Sequence, residues 1–129
     1  MDPRRLRRVV FALVTIVLAP ALAEERGPVV RMLVQSSPLA GYRYHAAAEL
    51  WEQLKVGDVL ELSREPDNPH DPSAVSVSWR GRKLGYVPRR ENAAVARGLD
   101  RGTPLRARIS KLTEDANPSR RLEFEVFIE

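Results

Sequence analysis

The 129 residues, 43% of them hydrophobic, supply one compact core and leave no room for a second domain. There is no cysteine, which excludes disulfides, thiolate metal sites and cysteine nucleophiles. The balance of 21 Lys+Arg against 17 Asp+Glu gives +4, but residues 1–23 hold four of the arginines and only one acid, leaving 17 against 16. The remainder is close to neutral, which argues against tight long-range attraction to nucleic acid. Any basic surface must come from local clustering, the candidates being Arg80, Arg82 and Lys83 in one turn, Arg89-Arg90 before a helix and Arg120-Arg121 before the last strand, each also readable as a solvated face.

In chain order, Arg4, Arg5, Arg7 and Arg8 precede an apolar stretch from Val9 to Leu18 and then Ala21-Leu22-Ala23, a small-x-small pattern. Basic, apolar and small-residue regions in this order are the layout of a secretory signal peptide. Residues 1–23 are therefore expected to be cleaved after Ala23, residues 24–28 to form a short linker, and the domain to occupy 29–129, exported to the periplasm or beyond. The apolar stretch is shorter than the roughly 20 residues of a membrane-spanning helix. The paired arginines leave both the general and the twin-arginine export routes open.

Val29 to Gln35 reads as a first strand, ended by Ser36-Ser37-Pro38 and followed by Gly41-Tyr42-Arg43-Tyr44. Ala46 to Leu54 is rich in helix formers, with Ala47, Leu50, Trp51 and Leu54 at helical spacing and Gly57 closing the helix. Alternating runs predict strands at Val59–Arg64, Ala74–Trp79 and Lys83–Val87, the last two joined by the hairpin connection Arg80-Gly81-Arg82. Between the first two, Pro66, Pro69 and Pro72 fix φ and remove backbone donors. The result is a stiff polar loop projecting Asp67, Asn68, His70 and Asp71, a binding-site pattern. A short helix is expected from about Glu91 to Leu99, then strands at Leu105–Leu112 and Leu122–Ile128 around a polar loop, Thr113 to Arg121. Six short strands and two short helices predict a mainly β fold, a small OB-like or SH3-like antiparallel barrel. The alternative is a two-layer α+β sandwich.

Each candidate residue also has a plain structural reading. Asn68 and Asp71 beside prolines are turn formers that hydrogen-bond their own backbone. Tyr42, Tyr44 and Tyr86 can be barrel wall, with one of the first two expected there. Trp51 is expected in the core, Trp79 in the core or exposed, and His45 partly buried at a helix start. Catalytic chemistry finds no pattern. His70 and Asp71 are adjacent, so their side chains do not face each other, and neither Ser73 nor Ser76 is placed for a relay. His45, His70 and a carboxylate lack metal-ligand spacing, and no Gly-rich phosphate loop is present. No catalytic residue, cofactor or metal is expected.

Four segments together, Gly41-Tyr42-Arg43-Tyr44-His45, Leu62 through Asp71, Ala74-Val75-Ser76-Val77 and Gly85-Tyr86-Val87-Pro88-Arg89, resemble the HIRAN domain, and the resemblance runs from about Val29 to the C-terminus. The family is found appended to DNA-repair helicase-like ATPases and as a free-standing bacterial domain. The resemblance implies an OB-like barrel that, in the helicase-linked members, captures the 3′ end of single-stranded DNA. It implies that Arg43 and Tyr44 grip backbone and base, and that Asn68 and Asp71 lie near the terminal sugar. A carboxylate there would accept from a free 3′ hydroxyl and repel a 3′ phosphate. The chain departs from the DNA-binding members at His70, where they carry a tyrosine, and at Tyr86, where the helicase-linked domain has histidine. The implied ligand set is Arg43, Tyr44, Asn68, His70, Asp71 and Tyr86. The implied function is a non-catalytic single-stranded DNA-binding module, any ATPase activity belonging to linked domains. The export signal keeps a second function open, an envelope module that binds a peptide, glycan or protein. A small hydrolase is the third.

Overall fold

The structure, a computed structural model, describes residues 30–129. The expected leader 1–23, the cleavage site after Ala23 and the linker 24–28 lie outside the described residues.

Six strands and two helices follow in the order β1 (Met32–Pro38), α1 (Ala47–Leu50), β2 (Val59–Arg64), β3 (Val75–Trp79), β4 (Arg82–Tyr86), α2 (Ala93–Asp100), β5 (Leu105–Leu112) and β6 (Leu122–Ile128). Short 3-10 turns lie at Tyr42–Tyr44, Trp51–Gln53, Arg89–Glu91 and Pro118–Arg120. The first strand begins and ends three residues later than Val29–Gln35, because Gln35 to Pro38 keep pairing with Val126 to Glu123 of β6. The helix expected over Ala46–Leu54 holds an i→i+4 bond from Leu50 to Ala46 but tightens to i→i+3 at Leu54, a common way for a helix to end. Gly57 does not close it. With φ of +93° it turns the chain into β2 and donates to the Ile109 carbonyl at 2.8 Å.

All pairings are antiparallel, in the order β1-β6-β5-β2-β3-β4. β2 serves both halves of the sheet: Val59 and Leu60 pair with β5, whereas Glu61 to Arg64 pair with β3. The two ends of the order meet where Ala40, just past β1, and Tyr86 of β4 exchange two backbone hydrogen bonds of 2.9 Å. That seam closes the barrel and removes most of two exposed edges. Gly85 makes the approach possible. A Cβ there would collide with the Ala40 carbonyl oxygen and stand 3.0 Å from the Leu39 side chain.

The alternating residues fill the interior as their period requires. Leu122, Phe124 and Val126 of β6 are fully buried between Glu123 and Glu125, and Val75, Val77, Ala107 and Ile109 do the same from β3 and β5. Val95 and Ala96 of α2 cover one end, and Ala47 and Leu50 of α1 another part of the wall. Tyr42 is the wall tyrosine, 6% exposed, whereas Tyr44 is 82% exposed. Trp79 is buried with its indole N–H donating to Asp58 at 3.1 Å. Trp51 is half-buried against the core, edge-on to Tyr42 at 6.1 Å.

Candidate nucleic-acid interface

The proline-rich loop is held from three sides. Its ends are zipped by Glu65 N–H to the Ala74 carbonyl (3.0 Å), and its turns by Asn68 N–H to Glu65, Asp71 N–H to Asn68 and Ala74 N–H to Asp71. Arg64 spans the return arm, donating to the carbonyls of Ala74 (2.8 Å) and Pro72 (2.9 Å) and to Asp100 of α2 (2.9 Å). The Asn68 side chain accepts from the His70 N–H, and Asp71 Oδ1 from the Ser73 N–H, both at 2.9 Å. These are the Asx turns that such residues form beside proline. Asp71 Oδ2 also accepts from the amide of Asn92 at 2.7 Å, and Asn92 is buried. This long-range tie fastens the loop to the start of α2.

Under the loop lies a polar floor. Lys83 Nζ donates to Glu65 Oε2 at 2.7 Å and to the Tyr86 hydroxyl at 3.1 Å, while that hydroxyl donates to Glu65 Oε1 at 2.9 Å. The Asn68 amide adds a third bond to the Glu65 carboxylate, at 3.2 Å. The Lys83 contact holds the Glu65 carboxyl below its ordinary value, and the same contact raises Lys83. His45 meets the Tyr86 ring edge-on at 5.4 Å. Burial first, and then the Lys83 charge, lower its pKa and keep it neutral at neutral pH.

Between the loop and the Tyr42–Tyr44 turn opens a groove of about 620 Å³, lined by Ala40, Tyr44, His45, Asn68, His70, Asp71, Ala74, Tyr86, Val87 and Arg89. Tyr44, Asn68, His70, Asp71 and Tyr86 are thus brought together. Arg43 is not. It faces the other side of the turn, toward Asn117, Pro118 and Ser119 and a cleft shared with Trp51 and Arg121. A single 3-10 turn directs consecutive side chains to different sides, which a dipeptide in sequence does not reveal. The cation that does line the groove is Arg89, exposed just past β4. Sequence reasoning also placed His45 outside the site. The signal available was Arg89 following Gly-Tyr-Val-Pro directly, so that the seam at Tyr86 carries it to the groove mouth. Four flat rings, a carboxylate and a guanidinium around one open slot can stack bases and meet a phosphate. Among the described residues, no three His, Asp or Glu side chains are grouped to hold a metal ion.

Comparison with known proteins agrees with this fold. The family model of the HIRAN domain matches residues 32–129. The chain is 36% identical over 73 residues to the Fanconi-associated nuclease 1 homolog of Oryza sativa subsp. japonica, a match covering 54% of this chain and 7% of that protein. The chain therefore spans a small part of that relative's length. A crystal structure of a protein from Lactobacillus plantarum superposes with a TM-score of 0.66 at 27% identity, covering 77% of this chain and 95% of the other. The HIRAN domain of human HLTF superposes with a TM-score of 0.58 at 19% identity, covering 76% and 78%, a likeness of fold.

Proposed function

The chain belongs to the HIRAN domain family, and from that premise we propose that it is a non-catalytic nucleic-acid-binding module whose groove takes single-stranded DNA by a free 3′ end. The observation that carries this reading is the convergence of Tyr44, His45, His70 and Tyr86 on one slot with Asp71 at its wall and Arg89 at its mouth. Stacking is sequence-tolerant, because every base offers a flat face. Both oxygens of Asp71 are engaged, by Ser73 N–H and by Asn92, yet a carboxylate has about four acceptor sites, so two remain for a 3′ hydroxyl. A phosphate at that position would meet the carboxylate's charge instead. In this reading Arg43 serves from the neighbouring side of the Tyr44 ridge. The match to the rice relative covers 7% of that protein, and its nuclease activity is not carried over.

Export belongs to the same proposal, on the strength of the Arg4-to-Ala23 leader pattern. An exported module of this kind would meet DNA outside the cytoplasm. The envelope alternative, a peptide, glycan or protein ligand, rests on the same leader. Fluorescence anisotropy of the purified protein with 3′-hydroxyl and 3′-phosphate oligonucleotides separates these readings. Preference for the hydroxyl form supports end recognition, and absence of binding to either sinks the nucleic-acid reading.

A further inference from the structure

The groove does not end at Arg89. A second depression, about 360 Å³, shares Ala40 and Arg89 with it and continues past Pro38 to Arg90 and Ser119. A third, about 460 Å³, shares Pro38, Arg90 and Ser119 with the second and reaches Lys111 and Arg120. Linked through these shared residues, the three are read as one furrow past the barrel seam, lined by Arg89 and Arg90 of one turn and Ser119 and Arg120 of another. Arg90, Lys111 and Arg120 are exposed, and none of them makes an ion pair among the described residues. Two acids share the far end. Asp115 is engaged by the Asn117 N–H at 2.8 Å, and Glu123 is the cross-strand neighbour of Lys111. In a domain close to neutral overall, this is a line of exposed cations, and it starts at the mouth of the binding groove.

We propose that this furrow, through Arg90, Lys111 and Arg120, is a phosphate track that carries the strand away from the groove, so that the preferred ligand is a 3′ end on a longer strand. This rests on the groove reading above, and it adds an electrostatic site that the groove alone lacks. Exposed cations in an open furrow suit a backbone of regular charge and arbitrary sequence, since phosphate contacts position without reading bases. The competing exit runs past Arg43 into the cleft of Trp51 and Arg121, where Glu52 offsets one charge.

The test is anisotropy with 5′-labelled 3′-hydroxyl oligothymidylates of about three and about twelve nucleotides, over a range of salt, each phosphate held adding about −0.7 to the slope of log K against log salt. The track predicts that the longer strand binds about tenfold tighter with the steeper slope, and that Arg90→Ala/Arg120→Ala abolishes the gain while leaving the short strand unchanged. Equal affinity for the two lengths overturns the track. So does a gain that survives Arg90→Ala/Arg120→Ala, and one lost instead in Arg43→Ala/Arg121→Ala identifies the other exit. If the long strand binds through Arg90 and Arg120 while Tyr44→Ala changes nothing at either length, the track stands and the groove reading fails.

Discussion

Asn68 and Asp71 show how one residue can serve frame and ligand together. Their side chains cap turns within the loop, and Asp71 also satisfies the buried Asn92 amide. Removing the Asp71 carboxylate leaves that amide unpaired, which costs about 1–3 kcal/mol. Asp71→Ala is therefore expected to lower the urea midpoint as well as binding, so its binding defect alone cannot report on contact with a DNA end. Tyr44 is the cleaner probe, because its exposed ring supports nothing beneath it. Tyr44→Ala is expected to leave the midpoint unchanged and weaken oligonucleotide binding by about 1–3 kcal/mol, the worth of one stacked base; anisotropy and denaturation on the same sample check both. Glu65 gives a pH signature. Its folded-state pKa lies below the ordinary value of 4.5, chiefly through the Lys83 hydrogen bond, so its contribution to stability is full above that value and is lost as pH falls through the lower folded value. Lys83, raised by the same contact, contributes fully below its ordinary value and loses its contribution as pH rises through the raised one. Urea midpoints between neutral and about pH 3 are expected to fall less steeply for Glu65→Gln than for the parent protein.

At the scale of elements, the strands were legible because half-buried sheets write their faces into alternation. Leu122-Glu123-Phe124-Glu125-Val126 could be assigned in and out residue by residue, and the structure follows it. The stiff loop was legible from its prolines. What holds it was not, because Arg64 reaches Asp100 and Asp71 reaches Asn92 across 36 and 21 residues of chain, and no local pattern encodes such partners. Much of the family's sequence mark thereby acquires a structural meaning: Arg64 clamps the loop, Glu65 anchors its floor, Asn68 and Asp71 cap its turns, and Gly85 admits Ala40 to the seam. Arg64→Ala is expected to speed amide hydrogen exchange at Glu65 and Ala74 while the β5–β6 pairing keeps its protection. Gly85→Ala is expected to destabilise by about 3 kcal/mol, since a Cβ cannot be accommodated against the Ala40 backbone without opening the closure. A wild-type midpoint for that variant would contradict the seam.

At the scale of the whole molecule, the site exists because the barrel closes. Ala40 and Tyr86 are 46 positions apart in sequence, yet their bridge sets the Tyr42–Tyr44 turn beside the loop and Arg89 between them. The six-strand barrel was readable in advance, and five of the six candidate residues lie along one groove, whereas the outward direction of Arg43 and the groove positions of His45 and Arg89 depend on this closure. Near-neutral composition made a basic surface invisible in the totals, and only the fold gathers Arg89, Arg90, Lys111 and Arg120 along one furrow. Export is a prediction at this scale too. Mass spectrometry of the protein from its native cells is expected to find an N-terminus at Glu24, and an intact Met1 in a cytosolic fraction would contradict the leader. The central claim, that the groove receives a free DNA 3′ end, is tested most directly by competition between 3′-hydroxyl and 3′-phosphate oligonucleotides of one sequence for the intact protein. The account predicts that the hydroxyl form competes at least about tenfold better and that Tyr44→Ala weakens it; equal competition by the two ends would contradict it.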